Sequence, residues 1–283
     1  MALESFPPLI LVSVRFLISG SLLILVALAR RVYVPHGREF LSNAFSGLLL
    51  LGIGNSCLVF AELLIPSGMA GLITTISPFW LVGVEALLPG GERLHAPTIG
   101  GMVVGLFGAS LLFTNDVAGQ AINRNVLSGF LTLQIGMAAW SFGSIYQRRQ
   151  PGKAHSVIAG GVQQLAAGLI LLPFAVGIRE DPVHWSAHGV AALLYLVCFG
   201  SIVGYSSYIY VMDRLPVAVV SIYSYVNAIV AVALGWFFYR EPFGAKEAAA
   251  MLVIFAAVAV VKRYSRSNKG QKLDQLPINT GEL

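Results

Sequence analysis

Arg15 and Glu62 are ionisable residues set inside long apolar runs, Pro8–Ala29 and Ser42–Leu64. Such groups are costly in low-dielectric surroundings, so each is a candidate for chemistry. Arg15 suits contact with an anionic group. Glu62 suits a proton or a cation. Arg15 lies early in its run and Glu62 late in the next, which puts both toward the non-cytoplasmic side, so a structural Arg15–Glu62 pair competes with these readings, as does a Glu62 that reaches water. Asn55, Gln134, Gln163, Gln164 and Asn227 are amides in mid-run. They either line a cavity or tie helices together. Glu85 lies within a turn of its run's end and is expected to extend to water.

Rings crowd the second half: Trp140, Tyr146, Tyr205, Tyr208, Tyr210, Tyr223 and Tyr225. A wall of rings with a few amides suits a small amphipathic solute. Trp140 and Tyr225 lie deepest in their runs. The candidate binding residues are therefore Arg15, Asn55, Glu62, Trp140, Tyr225 and Asn227.

Other spacings carry less. Gly101, Gly105 and Gly108 have no strand before them and read as close helix packing, as do Gly200 and Gly204. His184 and His188 lack further ligands, so no metal is expected. Cys57 and Cys198 read as small core residues rather than a redox pair. There is no phosphate-binding loop, so no nucleotide and no other cofactor is implied. No acid/base cluster supports an enzyme.

The elements that hold these residues are membrane spans. Charged residues make up 11% of the 283 and hydrophobic ones 57%, with a mean hydropathy of +0.78. So few charges do not cover a water-facing surface. Alternating short segments, the mark of a membrane barrel, are absent. Nine runs are long enough to cross a bilayer as helices: Pro8–Ala29, Ser42–Leu64, Ser67–Leu88, Pro97–Thr114, Val126–Gln147, Ser156–Ile178, His188–Met212, Pro216–Tyr239 and Gly244–Val261. Pro78 is expected to bend the third. Of the 18 Lys and Arg, 13 fall on the side of the C-terminus, 4 on the other, and Arg15 within a span. The C-terminus is therefore expected in the cytoplasm, with the basic charge serving the lipid surface rather than nucleic acid.

The halves repeat. Gly54, Ser56 and Pro66 fall on Gly204, Ser206 and Pro216, and Val14, Leu17 and Gly20 fall on Val162, Leu165 and Gly168. Corresponding spans are five apart, an odd number, so the halves must cross the membrane in opposite directions. Inverted repeats of this kind are a plan of secondary transporters, with the substrate between the repeats. The partner of Val126–Gln147 would lie before Met1. The expected plan is ten spans, of which nine are in this chain; a misassigned start, a damaged gene or a genuine short form would each account for that.

Several motifs carry a family resemblance. Ala2-Leu3-Glu4-Ser5-Phe6-Pro7-Pro8 followed by Val14-Arg15-Phe16-Leu17 resembles the start of the second helix of EamA-type permeases, in the drug/metabolite transporter superfamily. Gly54-Asn55, Ala61-Glu62 and Pro66-Ser67-Gly68 resemble the next helix pair, especially in the YedA-like branch. Trp140-Ser141-Phe142-Gly143-Ser144-Ile145-Tyr146 and Tyr223-Ser224-Tyr225-Val226-Asn227 resemble that branch too. The likeness runs from about Ala2 to Val261. It implies an all-α membrane fold of two inverted five-helix repeats, a central cavity and alternating access. The family's first helix, with its Trp-Gly-Ser type motif, is not matched, and Ala228 stands after Asn227 where the family commonly has Pro. On this reading residues 1–118 form the first repeat with four spans, 119–264 the second with five, and 265–283 a cytoplasmic tail without structure. The expected function is export or exchange of small organic metabolites or drugs across the cytoplasmic membrane, driven by a proton or substrate gradient, with Glu62 the coupling candidate. The alternative is a non-transporting membrane protein, such as a remnant or an assembly partner. The expected partners are a small-molecule solute and the bilayer, and a homodimer is compatible with the plan.

Overall fold

The structure is a computed structural model that describes residues 5–65, 67–91, 95–112, 124–177, 182–230 and 244–274. Every described element is a helix. They are α1 (Pro8–Ala29), α2 (Gly37–Leu64), α3 (Ser67–Thr74), α4 (Ser77–Leu87), α5 (Ala96–Leu112), α6 (Arg124–Arg149), α7 (Ser156–Gly177), α8 (Ala187–Arg214), α9 (Val217–Val220), α10 (223–230) and α11 (Ala245–Asp274). Five of them, α1, α2, α6, α7 and α8, are long and apolar enough to cross a membrane. Shorter apolar helices span Ser77–Leu87, Ala96–Gly108, Val217–Val230 and Ala248–Val261.

Local sequence sets several ends. Pro8 opens α1 at a position where its missing N–H costs nothing, and Arg31 closes the turn after it with φ of 53°. Ser186 caps α8 by accepting from the Gly189 N–H at 2.9 Å. The third apolar run divides at Thr75–Ile76, and Pro78 sits in the first turn of α4. α11 continues to Asp274, beyond the point where structure was expected to stop at Ser265. The tail's last residues, the Arg240-Glu241-Pro242 turn and the far end of Pro216–Tyr239 lie outside the described residues.

Two pairs of helices match in length. α1 and α7 each have 22 residues, and α2 and α8 each have 28. Each of the latter pair has a π-helical middle, Leu48–Asn55 in α2 and Leu196–Tyr205 in α8. Such winding is rare and marks functional positions more often than plain helix does.

Corresponding helices pack on each other. A Cβ at Gly20 would fall 2.5 Å from the Leu165 nitrogen, and one at Gly168 would fall 2.9 Å from the Leu17 nitrogen. These are the same contact made twice. Its numbering rises along α1 as it falls along α7, so the two helices are antiparallel. α5 and α11 repeat the pattern: Gly101 lies against Val261, and Gly108 against Ile254. Small residues let the backbones approach in this way. α6 lies antiparallel along α2, with Gly143 against Leu49, Gly136 against Cys57 and Gly129 against Ile65. The equivalent face of α8, including Phe199, Gly204 and Ser207, is exposed.

Candidate functional site

Two chambers lie between the halves. The larger, about 520 Å³, is bounded by Arg15 and Phe16 of α1, Leu51 and Asn55 of α2, Trp140 of α6, a strip of α8 from Gly200 to Val211, and Tyr223, Val226 and Asn227 of α10. The smaller, about 250 Å³, adds Leu58, Thr74, Ser77, Leu133 and Met137. Asn55, Trp140, Tyr223 and Asn227 belong to both.

A cage of four rings forms the aromatic wall. Trp140 meets Tyr208 at 5.4 Å between centroids and Tyr205 at 6.1 Å, and Tyr208 meets Tyr223 at 5.3 Å. Hydrogen bonds fix the cage. Trp140 Nε1 donates to the Tyr208 hydroxyl at 3.0 Å, and that hydroxyl lies 2.7 Å from Ser144 Oγ. Ser144 itself donates to the Trp140 carbonyl. Tyr208 sits about one turn beyond the π segment of α8.

The polar groups divide into those that bind the fold and those that face the chambers. Gln163 accepts from the Tyr205 hydroxyl at 2.5 Å and donates to Asn43 at 3.3 Å. Gln164 accepts from Ser19 at 2.5 Å. Gln134 accepts from Trp80 Nε1 at 2.8 Å. These three glutamines tie helices. Asn55 and Asn227 face the chambers, and Asn55 Oδ1 is buried without a hydrogen-bond partner. Arg15 faces the larger chamber and donates through Nε to Ser201 Oγ at 2.7 Å.

Of the six residues singled out from sequence, Arg15, Asn55, Trp140 and Asn227 come together at the chambers. Tyr225 and Glu62 stand apart. The Tyr225 ring is fully buried in the slot opened by Gly105, and its hydroxyl donates to the Met102 carbonyl at 2.7 Å. Glu62 is exposed on α2 and lines neither chamber. It does not pair with Arg15: among the described residues the ion pair within 4.0 Å is Arg149–Glu85, at 3.4 Å. That contact also corrects the expectation for Glu85, which is buried because Arg149, at the end of α6, supplies its partner. Cys57 packs against α6 at Gly136, while Cys198 is exposed rather than in the core. Tyr205, Tyr208 and Tyr223 entered the aromatic cluster from sequence without being singled out. Ser201 and Ser144 had no local signal, since an isolated serine in an apolar run looks like any small packing residue.

Most of the chain matches one family model, described as the EamA-like transporter family, over residues 1–114 and 127–263. The chain belongs to the EamA-like transporter family. It is 34% identical over 263 residues to the uncharacterised inner membrane transporter YedA of Escherichia coli K12, covering 92% of this chain and 83% of that protein. It is 30% identical over 158 residues to the aromatic amino acid exporter YddG of Ancylobacter novellus, covering 54% of this chain and 53% of that protein. A solved crystal structure shares the fold, with a TM-score of 0.76 at 22% identity over 94% of this chain and 91% of the other. For an EamA-family membrane transporter, a ring-walled chamber with few polar groups is a site suited to small solutes.

Proposed function

We propose that this EamA-family chain is a secondary transporter of small organic solutes that works by alternating access around the two chambers. The observation that carries the proposal is where the chambers lie. Helices of both halves bound them, and four residues shared by the two chambers stand at the junction. Rocking one half against the other would then switch access while the bound solute stays in place. Arg15, Asn55, Trp140 and Asn227 contact the solute, joined by Tyr208 and Tyr223. Tyr225 braces α10 on α5. Drive comes from a proton or substrate gradient. Arg15 is the one ionised side chain lining the chambers among the described residues, which favours exchange down the solute's own gradient.

The proposal sets the protein in the cytoplasmic membrane with its C-terminus inside, on the side richer in Lys and Arg. It also takes the architecture as nine spans of a ten-helix inverted repeat. α6 covers Gly54 and Cys57 of α2, and the exposed Gly204 and Ser207 of α8 are the equivalent seat for one more helix. The test is solute exchange by the reconstituted protein, loaded with a bacterial metabolite extract and read by mass spectrometry. Trp140→Ala and Asn55→Ala are each expected to slow exchange at least about tenfold, the size of one lost good contact. Unchanged exchange in both variants would remove the chambers from the pathway. No exchange by the wild-type protein would favour the non-transporting alternative.

A further inference from the structure

We infer that the solute held in the larger chamber carries a single carboxylate, seated on the Arg15 guanidinium, with its apolar body in the ring cage. This rests on the transporter reading above. Arg15 reaches the chamber from α1, and Ser201 of α8 holds its Nε at 2.7 Å. Ser201 is fully buried. The plane of the guanidinium is thus set from the opposite half of the molecule. Nη2 lies over Gly200, 2.7 Å from where a Cβ would stand, so any side chain at position 200 would have to displace it.

With Nε engaged, the edge formed by Nη1 and Nη2 is left. Among the described residues it has neither a hydrogen-bond partner nor a carboxylate within 4.0 Å. Two parallel N–H groups on that edge match the two oxygens of a carboxylate. Charge then narrows the class. Among the described residues that line the chambers, Arg15 alone is ionised. An uncompensated charge in such a cavity carries a heavy penalty, so one cation calls for one anionic group. Phosphomonoesters and dicarboxylates bring surplus negative charge, and cationic amines meet Arg15 with repulsion. The rest of the wall is mostly apolar, includes the rings of Trp140, Tyr205, Tyr208 and Tyr223, and takes an apolar or aromatic body. The unpartnered Asn55 Oδ1 is an acceptor for an N–H or O–H on the same solute. Amino acids and simple carboxylic acids share the decisive group, and the probes below separate them.

The test varies the head group on a constant ring. L-Phenylalanine, 3-phenylpropanoate, 2-phenylethylamine and phenyl phosphate are titrated by calorimetry into the full chain in nanodiscs. Exchange of the metabolite extract by proteoliposomes runs alongside. The two acids are expected to bind, with the amine and the phosphate at least about tenfold weaker. Arg15→Gln should weaken both acids at least about tenfold, Arg15→Lys less, and Ser201→Ala about threefold through loss of the Nε anchor. If L-phenylalanine binds more tightly than 3-phenylpropanoate, the ammonium uses Asn55. Equal binding leaves the carboxylate as the sole handle; both results support the inference. Size-exclusion profiles check the fold, and Ser201→Ala decides the matter should Arg15→Gln misfold. The inference is overturned if the amine or phosphate binds as well as the acids, if none of the four binds, or if folded Arg15→Gln and Ser201→Ala keep wild-type affinity. Continued extract exchange in that case leaves the transporter reading standing. Acid binding without any exchange would sink the transporter reading alone.

Discussion

α2 and α8 match in length and each has a π-helical middle, yet their surroundings differ. α6 closes the face of α2 at Leu49, Gly54 and Cys57, with helix against helix. The matching face of α8 is open, and its Gly200, Gly204 and Ser207 form the rim of the larger chamber. The polar residues follow the same division. Arg15 in α1 corresponds to Gln163 in α7. Gln163 is closed in by Tyr205 and Asn43, whereas Arg15 keeps one edge free toward the chamber. A repeated scaffold thus supplies two equivalent positions, one used for structure and one left for a ligand. The contact on which the two halves agree most closely, Gly20 and Gly168 between α1 and α7, holds the scaffold together.

That contact gives the largest expected effect. Valine at Gly168 would place carbon atoms within 3 Å of backbone in α1, which has no flexible end to yield. Gly20→Val and Gly168→Val should each cost about 3 kcal/mol or more, at the upper end for overpacking. Thermal unfolding in detergent should show similar losses for the two, because each makes the other's contact. Gly100→Val is the control, since nothing lies within 4 Å of its would-be Cβ. A large loss in one of the pair and none in the other would break the equivalence of the halves.

The next effect separates Gln163 from Arg15. Gln163→Leu leaves the buried Tyr205 hydroxyl and Asn43 without their shared partner, at a cost of about 1–2 kcal/mol in unfolding experiments. Arg15→Gln should change stability less, because only the Ser201 bond is lost and a charge facing the chamber is removed. Equal losses would mean that Arg15 is as structural as its counterpart. A smaller effect is expected from Tyr208→Phe, about 0.6 kcal/mol, an average interhelical hydrogen bond in a membrane. It frees the Trp140 Nε1–H and leaves the ring cage in place, so solute exchange should slow while the fold persists.

Much of this scaffold was legible in the sequence. Pro8–Ala29 was exact because Pro7-Pro8 and Arg30-Arg31 bracket an unbroken apolar run. The break near Pro78 was legible because proline removes a helical donor. The π segments were not: the run of leucines and glycines at Leu48–Asn55 is equally at home in either winding. The division of the glutamines and asparagines was not legible either, since an amide looks the same whether its partner is a helix or a ligand. Tyr225 shows the limit most clearly. Its depth in the run suggested a cavity, but its slot is made by Gly105 and its hydrogen bond by Met102, both distant in sequence.

Glu62 gives the smallest expected effect and tests the comparison from outside the chambers. It lies two residues before the end of α2, exposed, where a carboxylate reaches interfacial water by extending its stem. Glu62→Gln should therefore move stability by no more than about 0.5 kcal/mol, as for an ordinary surface substitution. The pH profile of exchange should also be unmoved, because neither chamber contains this side chain. The measurement is exchange by proteoliposomes across a range of external pH, wild type beside variant. A pH dependence present in the wild type and lost in Glu62→Gln would put the coupling proton on the outer face of α2. The chambers would then hold the solute without coupling it.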